Sequence, residues 1–207
     1  MAASRASGIG WWIMAVLSAL IALASARYLV PGAPGAAPTI LTNATTRYGA
    51  LTVHAGFAVA ALLIGPFQFA ASLRRRQPAW HRRAGTAYVI CCLIGGLAGL
   101  VLAFGSTAGP IATSGFALLA VAWLTCTAQA WRMAKARRFA DHERWMVRSF
   151  ALTFAAVTLR LYIPAGQVLG LDFMAAYRAI AWLCWVPNLV VAELLIVRGG
   201  LRTSRLP

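Results

Sequence analysis

Charge is what this chain has least of. Only 11% of its 207 residues are Asp, Glu, Lys or Arg, where a soluble globular domain carries about a quarter. A protein of this length with so few charges cannot keep its surface wet, so a water-soluble globule is excluded. The sequence also has no nucleophile motif, no phosphate-cradling glycine loop, no dinucleotide fingerprint and no zinc signature. Cysteine is scarce and offers no site. Cys91, Cys92, Cys126 and Cys184 all lie in apolar stretches without metal-ligand spacing, and they read as small packing residues.

What the chain does have is apolar sequence, 61% of it, in blocks of about 20 residues, the length that crosses a bilayer as a helix. Six such blocks are expected, at about 11–30, 48–73, 84–104, 111–133, 145–163 and 177–197. A helix satisfies its own backbone polar groups, which lipid requires. The expected fold is all-α: a polytopic membrane protein of six transmembrane helices in a bundle, forming one membrane domain over residues 1–207. Spans two to five would make a four-helix core.

The loops set the orientation. Arg74, Arg75, Arg76, Arg82 and Arg83 lie between spans two and three, and Arg132, Lys135, Arg137, Arg138 and Arg144 between spans four and five. Arg198, Arg202 and Arg205 follow span six, and Arg5 precedes span one. The loop at Gly105 to Pro110 carries no charge, and that at Pro164 to Ala176 only Asp172. Positive-inside bias therefore puts both termini and both basic loops in the cytoplasm. A competing reading takes Arg5, an apolar stretch and Ala24-Ser25-Ala26 as a cleaved signal peptide. The length of the run and Trp11-Trp12 as an interfacial anchor favour an uncleaved helix. Pro31 to Pro38 reads as an outer loop. Asn43-Ala44-Thr45 fits a glycosylation pattern, but the Ala- and Arg-rich composition suggests a bacterial inner-membrane protein, where that pattern means nothing. The net charge of +15 is spread over short clusters. Arg74–Arg76 and Arg132–Arg138 are expected to meet anionic lipid headgroups, and no nucleic acid is expected.

A short repeat links the two basic loops. Pro78-Ala79-Trp80-His81-Arg82-Arg83 closes one and Phe139-Ala140-Asp141-His142-Glu143-Arg144 the other. Spans two and three could thus match spans four and five about a pseudo-twofold axis, with His81 and His142 at one depth. Two such histidines could be the axial ligands of a b-type haem, with Arg82, Arg144 and their neighbours on its propionates. The plainer reading makes both histidines interfacial polar groups, with Asp141 as the N-cap of span five.

Ionisable groups inside spans are costly and mark candidate sites. His54 and Arg160 fall toward the outer side and could together bind a quinone headgroup or another anionic or carbonyl-bearing ligand. The plainer reading has Arg160 snorkelling toward Asp172 or Tyr162. Arg148 is expected to snorkel, so that losing Arg160 would do more damage. Glu193 could carry a proton, or pair with Arg198 or Arg148. Gly95 with Gly99, and Gly56 with Ala60, are spaced for close helix contact. Pro66 and Pro187 are expected to kink their spans. Gln68, Gln129 and Asn188 read as interhelical hydrogen-bond partners.

Several of these motifs resemble a known group. His54-Ala55-Gly56, Gly65-Pro66-Phe67-Gln68-Phe69, His81 to Tyr88, Asp141 to Ser149 and Leu159-Arg160-Leu161 resemble a family of bacterial predicted membrane proteins catalogued as a domain of unknown function. The resemblance covers about Tyr48 to Pro164. More distantly, the chain resembles six-helix cytochromes of the b561 type, whose four-helix core holds two haems between histidine pairs. That resemblance implies one pair from His81 and His142; His54 would be half of the other, and span four has no histidine to complete it. The expected function is a haem- or quinone-binding component of electron transfer with a membrane redox partner. The alternative is a non-catalytic membrane protein that carries a small solute or supports a partner complex.

Overall fold

The computed structural model describes residues 2–30 and 46–203. The expected outer loop at Pro31 to Pro38, the Asn43-Ala44-Thr45 pattern and Arg205 lie outside the described residues. Every element among the described residues is helical, and six helical stretches are long and apolar enough to cross a membrane: Gly8–Leu29, Tyr48–Gln68, Pro78–Phe104, Pro110–Lys135, Phe139–Val168 and Phe173–Arg198. Large apolar side chains such as Leu97, Val101, Val190 and Leu195 stand exposed along these helices. In water each would cost on the order of 1.5–3 kcal/mol relative to burial; against lipid tails that cost disappears.

The chain falls into two compact units, residues 1–105 and 106–207, each with three spans. Unit 1 holds α1 (Ala2–Ala26), α2 (Tyr48–Gln68), the short α3 (Ala71–Arg76) and α4 (Pro78–Phe104). Helix α2 packs along α4 and against α1. The buried strip holds many small residues, Ala55, Ala61 and Gly65 on α2 and Cys92, Gly95 and Gly96 on α4, with Leu62 and Tyr88 buried beside them. Small side chains let helix backbones come close, and that packing is the main source of attraction where lipid is as apolar as the helices. Trp11 of α1 donates through Nε1 to the carbonyl of Pro66 (2.8 Å). The expected interfacial anchor is thus also a link between helices.

Unit 2 holds α5 (Pro110–Lys135), α6 (Phe139–Thr153), α7 (Ala155–Val168), α8 (Phe173–Leu183) and α9 (Val186–Thr203). Span five is α6 followed by α7, and span six is α8 followed by α9. Pro187 explains the second break: with no N–H to donate, it interrupts the helical ladder one turn back, and Cys184 and Trp185 form a turn there. Pro66 instead sits in the last turn of α2 and is followed by its end at Gln68.

Two helices begin inside segments that the sequence assigns to the basic loops. Span three starts at Pro78 rather than near Ala84, and span five at Phe139 rather than near Trp145. Proline is well placed at a first helical position, where its missing N–H is not needed. The arginines that read as loop are the opening turns of helices. Asp141 is accordingly not the N-cap: Arg138 holds that place, and Asp141 lies inside the first turn. There it accepts from Arg138 (2.6 Å) and Arg144 (3.5 Å).

Candidate functional site

His54 sits half-buried in α2, and its Nδ1 lies 2.8 Å from the carbonyl oxygen of Gly95 in α4. A carbonyl can only accept, so Nδ1 carries the hydrogen, and in the neutral ring the lone pair belongs to Nε2. Gly99 makes the room: a β-carbon there would stand 2.9 Å from His54 Nδ1 and 3.1 Å from Cε1. The expected close contact at Gly95 and Gly99 therefore accommodates an imidazole.

His142 repeats the arrangement in unit 2. Its Nδ1 lies 2.9 Å from the carbonyl of Ala130 in the last turns of α5, so by the same argument Nε2 holds the lone pair of the neutral ring. A backbone carbonyl on Nδ1 is the partner that commonly fixes tautomer and ring orientation in ligating histidines. His81 is also half-buried, and it occupies the fourth position of α4 as His142 does in α6. Arg82 and Arg144 are exposed.

The sequence pairs His81 with His142 and His54 with Arg160. Each of these pairs takes one residue from unit 1 and one from unit 2. Within unit 2, Arg160 on α7 donates to the carbonyl of Ala156 on its own helix (3.1 Å). Among the described residues no group of three or more His, Cys, Asp or Glu could hold a metal ion.

Two polar ladders run along span five in unit 2, one of them built on the expected Glu193 and Asn188. On one side of span five, toward α5, His142 meets Ala130, Ser149 meets Thr127 (2.7 Å), and Thr153 accepts from Trp123 Nε1 (2.9 Å). On the other side, toward span six, Arg148 binds Glu193 through Nε and Nη2, the latter at 2.8 Å from Oε2. Asn188 then donates to Thr158 Oγ1 (3.1 Å) and to the carbonyls of Ala151 (3.3 Å) and Cys184 (3.0 Å). Arg148 also lies over the Trp145 ring, 4.7 Å from its centre. So Arg148, expected to snorkel, is held by a two-pronged ion pair and an aromatic face. Glu193 takes Arg148, one of its two expected partners.

Of the three expected interhelical carboxamides, only Asn188 reaches across helices through a hydrogen bond among the described residues. Gln129 accepts from Arg132 on its own helix (3.2 Å). Gln68 is only 7% exposed, and its Nε2 has no hydrogen-bond partner among the described residues; a β-carbon at Gly85 would stand 3.0 Å from its Oε1. All four cysteines are buried, as their apolar settings imply.

The model of a family described as "Predicted membrane protein (DUF2306)" matches residues 51–196. No curated protein and no solved structure matches the chain.

Proposed function

This chain belongs to the DUF2306 family of predicted membrane proteins, and from that premise we propose that it is a bacterial inner-membrane protein with cytoplasmic termini that binds a redox ligand, haem or quinone, and takes part in electron transfer. One observation carries the reading. His54 and His142, in separate units, each have Nδ1 fixed on a backbone carbonyl of a neighbouring span, which presents Nε2 as a ligating or proton-accepting atom. An imidazole held this way fits the donor chemistry of haem iron and equally that of a quinol hydroxyl. A haem would supply one-electron exchange; the chain's part is to orient the rings and exclude water. His81, Arg82, Arg144 and Arg160 complete the set of candidate ligand-binding residues. The basic segments Arg74–Arg76 and Arg132–Arg138 meet anionic headgroups.

The test is the absorption spectrum of the purified protein before and after dithionite. A reduced α-band that disappears in His142→Ala or His54→Ala identifies a b-type haem. A colourless protein from haem-replete cells removes haem. Quinone then remains only if a short-chain quinone raises the unfolding temperature of the native protein and not of the two variants. A protein that fails both belongs to the solute-carrier or scaffold class.

A further inference from the structure

The two basic elbows contain five cations each, and all ten are exposed: Arg74, Arg75, Arg76, Arg82 and Arg83 in unit 1, and Arg132, Lys135, Arg137, Arg138 and Arg144 in unit 2. Their neutralisation is unequal. In the second elbow the Asp141 carboxylate takes Arg138 and Arg144. Gln129 accepts from Arg132 and Lys135 lies 5.0 Å from the centre of the Trp131 ring, contacts that hold these two side chains without cancelling their charge. Unit 1 has no such resource, because residues 1–105 contain no Asp and no Glu at all. Five like charges within ten residues repel one another, and no carboxylate of their own unit can relieve them.

We infer that the first elbow, α3 with the opening turns of α4, is a specific docking surface for the headgroup of an acidic phospholipid, and that the second elbow meets headgroups only diffusely. This deepens the proposed contact with headgroups and is independent of the redox reading. The occupant follows from connectivity and charge. The elbow joins two membrane spans, Tyr48–Gln68 and Pro78–Phe104, so it lies at the membrane face, where phosphodiesters are the abundant anions. Guanidinium groups match phosphate oxygens as planar forks. Trp80 is 53% exposed between the two arginine clusters, and tryptophan favours the headgroup level.

The experiment compares retention of phosphatidylglycerol and phosphatidylcholine by the full-length protein, using native mass spectrometry. Each arginine near a headgroup layer contributes about fivefold in binding, so Arg74→Gln with Arg75→Gln and Arg76→Gln should weaken phosphatidylglycerol binding about a hundredfold. The matched triple Arg132→Gln, Lys135→Gln and Arg138→Gln, whose cations have partners of their own, should weaken it less than about fivefold. Phosphatidylcholine retention should not change. Equal losses in the two triples overturn the proposal, as does a native protein that holds both lipids alike, a result that needs no variant. Displacement by inorganic phosphate at the same concentration as phosphatidylglycerol would also overturn it, because the site would then take free phosphate. Failure of the native protein to enter a bilayer would instead remove the membrane reading.

Discussion

In unit 1, α2 and α4 are rich in buried alanines and glycines. Two polar side chains of α2 lie against glycines of α4, His54 at Gly95 and Gly99 and Gln68 at Gly85. In unit 2, span five is tied on one side by His142, Ser149 and Thr153 and on the other by Arg148 and the carbonyls that Asn188 collects. Both arrangements answer the same difficulty, that apolar helices gain nothing from leaving lipid for one another. Close packing of small residues gains many weak contacts, and any added atom harms it. A polar ladder gains a few strong contacts, and it is harmed when one partner is removed and the other stays behind. The two units should therefore fail under opposite kinds of substitution.

The largest effect is expected where a charge is stranded. Arg148→Ala leaves Glu193 without its counter-ion and should cost about 3 kcal/mol, the low end for a buried pair because Glu193 is 44% exposed. Combining Arg148→Met with Glu193→Leu should restore most of that loss, a coupling that a double-mutant cycle in detergent unfolding would measure. If the double variant is as weak as the single, the pair is not what holds span six to span five. Next comes overfilling in unit 1. Gly99→Ala sets a methyl 2.9 Å from the His54 ring and should cost roughly 1–3 kcal/mol, with the Nδ1–H of His54 losing its carbonyl. Nitrogen chemical shifts of the imidazole would show the change; an unaltered ring signal would mean that α2 and α4 part easily.

Smaller still are the individual rungs. Asn188→Ala and Thr127→Ala should each cost about 0.6 kcal/mol and at most about 1.7 kcal/mol, the range of hydrogen bonds between membrane helices. A loss well above that range at Asn188 would mark it as the holder of the breaks in spans five and six. The smallest change should have the opposite sign. Gln68→Leu removes a buried amide donor that has no partner among the described residues and should leave stability unchanged or raise it by up to about 1 kcal/mol. A clear loss would show that the carboxamide is satisfied by water or ligand.

The six spans were legible because hydropathy in blocks of membrane length is a one-dimensional signal. The break at Pro187 was legible because proline carries its effect in its own ring. The helix starts at Pro78 and Phe139 were not, since arginines in an opening helical turn look the same in sequence as arginines in a loop. Arg148 was misjudged for a related reason: whether an intramembrane cation snorkels or pairs depends on which residue of a distant helix stands opposite. Asn188 was recognised as an interhelical donor, yet Gln68 and Gln129 have the same chemistry and do otherwise. For the histidines, sequence supplies the number, while the carbonyl partners that decide which nitrogen of His54 and His142 bears the hydrogen come only from the packing of neighbouring spans.

The missing acids of unit 1 bear on how the protein is made. Asp141 is the first carboxylate in this sequence, so four spans and the five arginines of the first elbow precede any negative side chain in it. Orientation in a membrane responds to where cations stand relative to the spans, and in these residues no anion is beside them. The elbow can commit the first hairpin to one topology while unit 2 is still being synthesised, leaving the later spans to follow it.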